Sequence, residues 1–267
     1  MKTTIKIVLV FFLTIFCFNS CIEEERPFKK VILYVDLSTS FDPLAMEDQV
    51  IKVGKMIKGL PKKTRIEIYP MDGGIYTEPL FKYEKGEEDV ISVKREAQKQ
   101  KINQLSDSVQ LKLLNMYRGQ GKNRKNEYQS CIITSFENAY NNLRFQKDIK
   151  NTHVIFMSDM IEQCSESRAG SIFMCSKTRN PDFEEIIGQV TYDYNPDFQL
   201  NLLTDDRIHI VVTSNHDNQS RCLKQEEQRK IWLKLLEKIG YENPQGVYYH
   251  TAMPDFGKLW NVGEINN

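Results

Sequence analysis

The chain has 267 residues, 40% of them hydrophobic, and 36 basic residues stand against 36 acidic ones. That apolar content is adequate for a packed core, and the balanced charge argues against a nucleic-acid binder, which shows a strongly basic face. One long domain, or one domain with insertions, accounts for this size.

Lys2 and Lys6 open the chain, and Ile7 to Phe18 is apolar except for Thr14. A membrane span needs about 20 apolar residues, so this run is too short for one and fits the core of a signal peptide. Ser20 and Cys21 follow, and FNSC resembles the lipobox of bacterial lipoproteins, with Phe18 where Leu is usual. The resemblance implies cleavage before Cys21, diacylation of its sulfur and attachment to a membrane. Residues 1–20 are therefore read as a signal peptide and 21–30 as a tether. Ile22 and then Glu23, Glu24 and Glu25 come next, with no Asp after the cysteine. The expected location is the cell envelope, at an outer membrane, facing the periplasm or the surface. The glutamates read as a surface-export signal or, equally, as a solvated tether. Losing two lysines with the signal peptide leaves 34 basic against 36 acidic residues, a net charge of −2.

Cys17 leaves with the signal peptide and Cys21 is taken by lipid, so Cys131, Cys164, Cys175 and Cys222 remain. An even set in an exported protein favours disulfides, with three connectivities open. The segment between Cys164 and Cys175 is short and polar enough to loop back, which makes them the expected pair. Such a bridge contributes roughly 2–3 kcal/mol in the chain-entropy account. Cys131 and Cys222 are left as potential partners. No paired CxxC is present, so a zinc site is not expected.

The predicted elements follow in order. Val31 to Val35 (VILYV) is a continuous apolar run of the kind buried on both faces of a parallel sheet. It ends at Asp36. Asp42 and Pro43 suit a helix start, Val50, Val53, Ile57 and Leu60 recur at helical spacing, and Pro61 closes the helix. Arg65 to Met71 alternates as a strand, and Glu78 to Tyr83 is expected beside it as an antiparallel edge. A long polar helix spans about Glu88 to Tyr117, with Ile102, Leu105, Val109, Leu113 and Met116 as a narrow apolar stripe. Thr134 or Ser135 begins another helix through Leu143. His153 to Met157 and Arg207 to Thr213 are core strands, with an irregular excursion from Cys164 to Asn195 between them. Gln225 to Ile239 is an amphipathic helix stopped by Gly240, and Val247 to His250 adds a last short strand. Strands alternating with helices give an open, mostly parallel, doubly wound α/β sheet with helices on both faces. In such sheets, sites form in loops at the carboxyl ends of the strands.

Asp36, Ser38 and Ser40 form DxSxS at such an end. Residues two apart in a loop can turn their oxygens to one centre, and two hydroxyls with a carboxylate suit Mg²⁺ or Mn²⁺ rather than soft metals. The motif in this place resembles the von Willebrand factor type A domain, whose metal-ion-dependent adhesion site begins with DxSxS. The resemblance extends over residues 31–267, with insertions at about 84–128 and 162–200. It implies a second-loop Thr, matched by Thr134 five residues before Ala139, and an Asp after a core strand, matched by Asp159 in VIFMSDM. Ser38 and Ser40 would then bind the metal directly and Thr134 directly or through water, while Asp36 and Asp159 hold waters and offset charge. Ile132 and Ile133 replace the usual glycines, which brings in Ser130 or Ser135 as substitutes for Thr134, and Met160 replaces a usual Gly. Without a metal, the trio reads as a turn capping the next helix.

The four histidines, His153, His209, His216 and His250, are scattered and read as core or surface residues. GxSxG, phosphate-loop and dinucleotide fingerprints are all missing. The expected function is therefore a lipid-anchored, non-enzymatic binding module that captures a protein or peptide carboxylate through the metal. The alternatives are an accessory scaffold of an envelope complex with an idle site, and a metal-assisted hydrolase, which lacks a general base near Asp36.

Overall fold

The computed structural model describes residues 29–37, 43–71, 78–86, 92–120, 131–143, 152–160, 208–212, 225–238 and 248–250. Its elements are β1 (Lys29–Val35), α1 (Pro43–Lys58), β2 (Thr64–Pro70), β3 (Phe81–Lys85) and α2 (Ser92–Gln120). They continue with α3 (Ile132–Leu143), β4 (Thr152–Ser158), β5 (Ile208–Val212), α4 (Gln225–Lys238) and β6 (Tyr248–His250). One sheet runs in the order β3-β2-β1-β4-β5-β6. Every neighbouring pair is parallel except β2 with β3, which is antiparallel. The fold is α/β, as the alternation of elements predicts. Among the described residues no helix is long and apolar enough to cross a membrane.

Strand β1 shows why the sheet has two covered faces. Val31 through Val35 are all fully buried, and successive side chains point to opposite sides. Val31, Leu33 and Val35 join Ile66, Ile68, Ile155 and Met157 in one apolar layer, capped by Val50, Val53 and Ile57 of α1 and Val109 and Leu113 of α2. On the other face Tyr34 stacks on Tyr69 at 5.3 Å and on Phe156 at 5.2 Å. Phe136 of α3 lies 4.2 Å from Phe156 and 5.9 Å from Trp232 of α4, centroid to centroid. Burying each such side chain contributes about 1.5–3 kcal/mol, so this one strand anchors two helix layers.

Helix α2 runs antiparallel to α1. Lys58, the last residue of α1, pairs with Asp107 at 3.2 Å, and Glu47 in its first half pairs with Arg118 at 2.8 Å. Gly54 permits the close approach: a Cβ there would lie 2.1 Å from Gln110 Nε2, and its carbonyl accepts from Ser106 Oγ at 3.0 Å. This helix falls within the insertion expected at 84–128, whereas all of 162–200 lies outside the described residues.

Most element boundaries shift by a few residues from expectation, and two of the shifts have a visible cause. The edge strand is Phe81–Lys85 rather than Glu78–Tyr83, in a register fixed by Arg65 pairing with Glu84 at 2.6 Å across the strands. Helix α3 starts at Ile132, ahead of Thr134, because Ser135 N and Oγ both donate to the Cys131 carbonyl, at 3.1 and 2.8 Å. The hydroxyl that looks like an N-cap is a back-bond inside the first turn. His153 and His209 are buried on adjacent strands, as expected for core histidines, with stacked rings and His153 Nδ1 3.0 Å from His209 Nε2.

Burial raises the Tyr34 hydroxyl above the usual tyrosine range, and burial with the Glu67 carboxylate raises Tyr69. The folded state thus holds these protons where unfolded tyrosine loses them, from about pH 10 upward. That stability is complete below this pH and declines above it. Burial holds Lys30 below the lysine range of 10.5 despite its bond to Glu67, which acts in the opposite sense as pH rises towards that value. Above it, among these groups, the tyrosines alone act. The melting temperature should therefore fall steeply beyond that pH, and Tyr34→Phe should flatten the fall. Near neutrality the same change loses only the 3.3 Å bond from Asn142 Nδ2, a cost of about 1 kcal/mol. An unaltered alkaline slope in the variant would assign the loss to other groups.

Candidate functional site

In this strand order the chain leaves β1 for β2 on one side and β4 for β5 on the other, so the order reverses between β1 and β4. Open α/β sheets bind ligands in the crevice at that reversal, outside the carboxyl ends of the strands. Asp36 follows the last residue of β1, and Asp159 follows the last residue of β4. Both are buried, Asp36 fully and Asp159 to within 1% exposure.

Hydrogen bonds weld these two ends together. Asp36 N donates to Met157 O at 2.9 Å, and Ser158 Oγ donates to Asp36 Oδ2 at 2.6 Å. Ser158 Oγ also accepts from Met160 N at 2.9 Å, closing a turn around Asp159. Gln49 of α1 donates from Nε2 to the same Met157 carbonyl at 3.0 Å. Its Oε1 is buried with no hydrogen-bond partner among the described residues. The start of α3 is tied in from the opposite side, since Met71 N donates to Val35 O at 3.0 Å and Cys131 N to Met71 O at 3.3 Å. Thr134, half-buried in the first turn of α3, is thereby brought to the same end of the sheet as Asp36 and Asp159.

Ser38 and Ser40 lie outside the described residues, as do Ser130 and the lipidation residue Cys21. Of the substitutes for Thr134, Ser135 is buried and its hydroxyl is committed to Cys131 O. The expected bridge between Cys164 and Cys175 is also outside the described residues. Cys131 is buried and disulfide-bonded to a cysteine outside them. Ser158 stands directly before Asp159 at a strand end, and the motif resemblance assigns it no role.

The chemistry available is that of hard oxygens: two carboxylates, the hydroxyls of Ser158 and Thr134, and the orphaned Gln49 amide oxygen. Among the described residues no three His, Cys, Asp or Glu side chains gather as a metal site, so a cation here would draw on hydroxyls and water besides Asp36 and Asp159. Burying a carboxylate is unfavourable unless donors or a cation offset it. The oxygens here are hard, the donor type that a small divalent cation takes.

No protein-family model matches the chain, and no curated protein matches it. Among solved structures it is similar to the human COPII-coat protein Sec24c, at 8% identity and a TM-score of 0.33, over 89% of this chain. The chain spans 31% of that protein's length. A likeness this distant carries no argument about fold or function.

Met160 has φ 60°, the left-handed region, where a non-glycine residue costs roughly 1–2 kcal/mol. The strain is held in place because Met160 is fully buried and its carbonyl accepts from Trp232 Nε1 at 3.0 Å. Met160→Gly relieves the backbone but empties a buried volume, at a cost of about 2–5 kcal/mol for a truncated core methionine. Urea unfolding should show net destabilisation of about 1–3 kcal/mol with an unchanged slope. A variant more stable than the wild type would mean that backbone strain outweighs packing at this turn.

Proposed function

We propose that the protein is a lipid-anchored binding module with a von Willebrand factor type A architecture. In this reading it captures a carboxylate of a protein or peptide through Mg²⁺ or Mn²⁺ held by Asp36, Ser38, Ser40, Thr134 and Asp159. The observation that carries the proposal is the Ser158 bond to Asp36, which joins the ends of β1 and β4, each followed by a buried aspartate, at the point where the strand order reverses. When bound, the ion would supply a Lewis-acidic position for an incoming carboxylate. The chain's own residues do the rest. Ser158 orients Asp36, the buried Met160 turn fixes Asp159, and the loops around the end decide which ligand fits.

Titration calorimetry against Mg²⁺ and Mn²⁺ tests the metal. The wild type should bind one ion per chain. Ser38→Ala should bind more weakly, and Asp36→Ala, which removes the offsetting carboxylate, more weakly still. Equal binding in all three would leave DxSxS as a helix-capping turn only. A second reading, a scaffold with an idle site, is favoured by the internal use of Asp36 Oδ2 by Ser158. It expects no ion uptake by any of the three proteins.

The anchor has its own test. FNSC after an apolar run supports lipid on Cys21, so Cys21→Ala should accumulate as an uncleaved precursor that takes up no labelled lipid. Normal processing of that variant would remove the lipoprotein reading while leaving the metal proposal standing.

A further inference from the structure

The amino ends of the parallel strands form a pole opposite Asp36. Lys29 begins β1 there, with its N donating to Lys63 O at 2.9 Å, and Lys85 ends β3 beside Thr64. Lys58 ends α1 at the same pole, and Asp107 of α2 is level with it. Helix α2 does not stop at that level. It continues back from Asp107 to Ser92, a further 22 Å or so at about 1.5 Å per residue. Burial ceases beyond Ile102, and Val93 to Lys101 are exposed apart from half-buried Gln98. The first turns of α2 thus project from the body as an arm.

That arm carries Lys94, Arg95, Lys99 and Lys101 against one acid, Glu96. Lys62 and Lys63, in the turn before β2, add cations at the same pole. The acidic run Glu87 to Asp89 lies outside the described residues. Cations in a helix's first turn oppose its dipole, and Val93 at the tip is 76% exposed. Neither feature contributes to packing the domain. Cys21 precedes Lys29 by eight residues, so covalent reach alone keeps it within about 29 Å of this pole at ~3.6 Å per residue. The projecting arm and the point where the tether joins the domain therefore share one end of the molecule.

We infer that the α2 arm rests on an anionic membrane surface and fixes the orientation of the anchored domain. The occupant is set by charge complementarity and by the shared pole: acidic headgroups attract Lys and Arg held within a Debye length. This rests on the lipid-anchor reading, and the experiment separates the two.

The processed, lipidated chain is reconstituted in vesicles of phosphatidylcholine with phosphatidylglycerol, or of phosphatidylcholine alone, both containing brominated phosphatidylcholine. Val93→Trp places a fluorophore at the arm tip, and the unsubstituted chain supplies the background from Trp232 and Trp260. The added emission should be quenched on the anionic vesicles, released by high salt, and unquenched on the neutral ones. Changing Lys94, Arg95, Lys99 and Lys101 to Gln should lower the ratio of quenched to free arm roughly fivefold per cation removed. If the chain co-migrates with both vesicles but the tip is unquenched on both, the arm faces solvent or a soluble partner and the inference fails while the anchor stands. Equal quenching on both would overturn recognition by charge. A chain that co-migrates with neither has no anchor, and the inference falls with it.

Discussion

The hydroxyl of Ser158 donates to Asp36 Oδ2 across the ends of two neighbouring parallel strands, and the architecture of the carboxyl pole depends on that bond. Charge-assisted bonds of this kind are among the stronger ones in a protein. Losing the donor would remove one partner of a fully buried carboxylate. The bond also settles the backbone that follows. Ser158 Oγ accepts from Met160 N, which bends the chain at Asp159, and the turn is locked from beyond by Trp232 of α4. One serine thus links β1, β4 and the helix covering the far face. Its influence reaches α1 too, because the Met157 carbonyl just before it accepts from both Asp36 N and Gln49 Nε2.

How far the sequence reveals this depends on what each pattern measures. The buried strands β1 and β4 are legible because a strand covered on both faces is apolar throughout, and VILYV and HVIFM are. The helices α1 and α4 are legible from their periodicity. The strand order is not, since pairing between distant segments leaves no local pattern. Strand β2 misleads for a related reason. RIEIYPM alternates as if one face met water, yet Glu67 and Tyr69 are buried. Their face stays polar because Lys30 supplies a partner for Glu67 at 2.7 Å and Tyr69 OH donates to the same carboxylate at 3.3 Å. A local pattern cannot show that partner, which comes from another strand. Within the site, Asp36 and Asp159 are legible as acids at strand ends, whereas the role of Ser158 appears only once β1 and β4 are known to be neighbours.

The two faces of the sheet do different work. The face under α1 and α2 is a continuous apolar layer, and Gly54 of α1 lets α2 lie close over it. The face under α3 and α4 carries the aromatic stack together with Asn142 and the Glu67 group. A buried ion pair adds little net stability, because desolvation cancels most of the attraction. Removing one partner alone, however, strands the other in a low-dielectric site. Such groups restrict which strands can lie beside one another more than they strengthen the sheet.

Parallel pairing has a consequence for orientation that requires no particular ligand. Parallel strands share one direction, so the carboxyl ends of β1, β2, β4 and β5 lie on one side and their amino ends on the other. From Lys29 to Asp36 the chain rises about 23 Å at ~3.3 Å per residue. A domain held through the segment before Lys29 must therefore present Asp36, Asp159 and the start of α3 on the side away from that attachment. An antiparallel sheet would bring half of its strand ends back towards the point of attachment. Here the direction in which Asp36 and Asp159 face is set by the parallel pairing of β1 with β4.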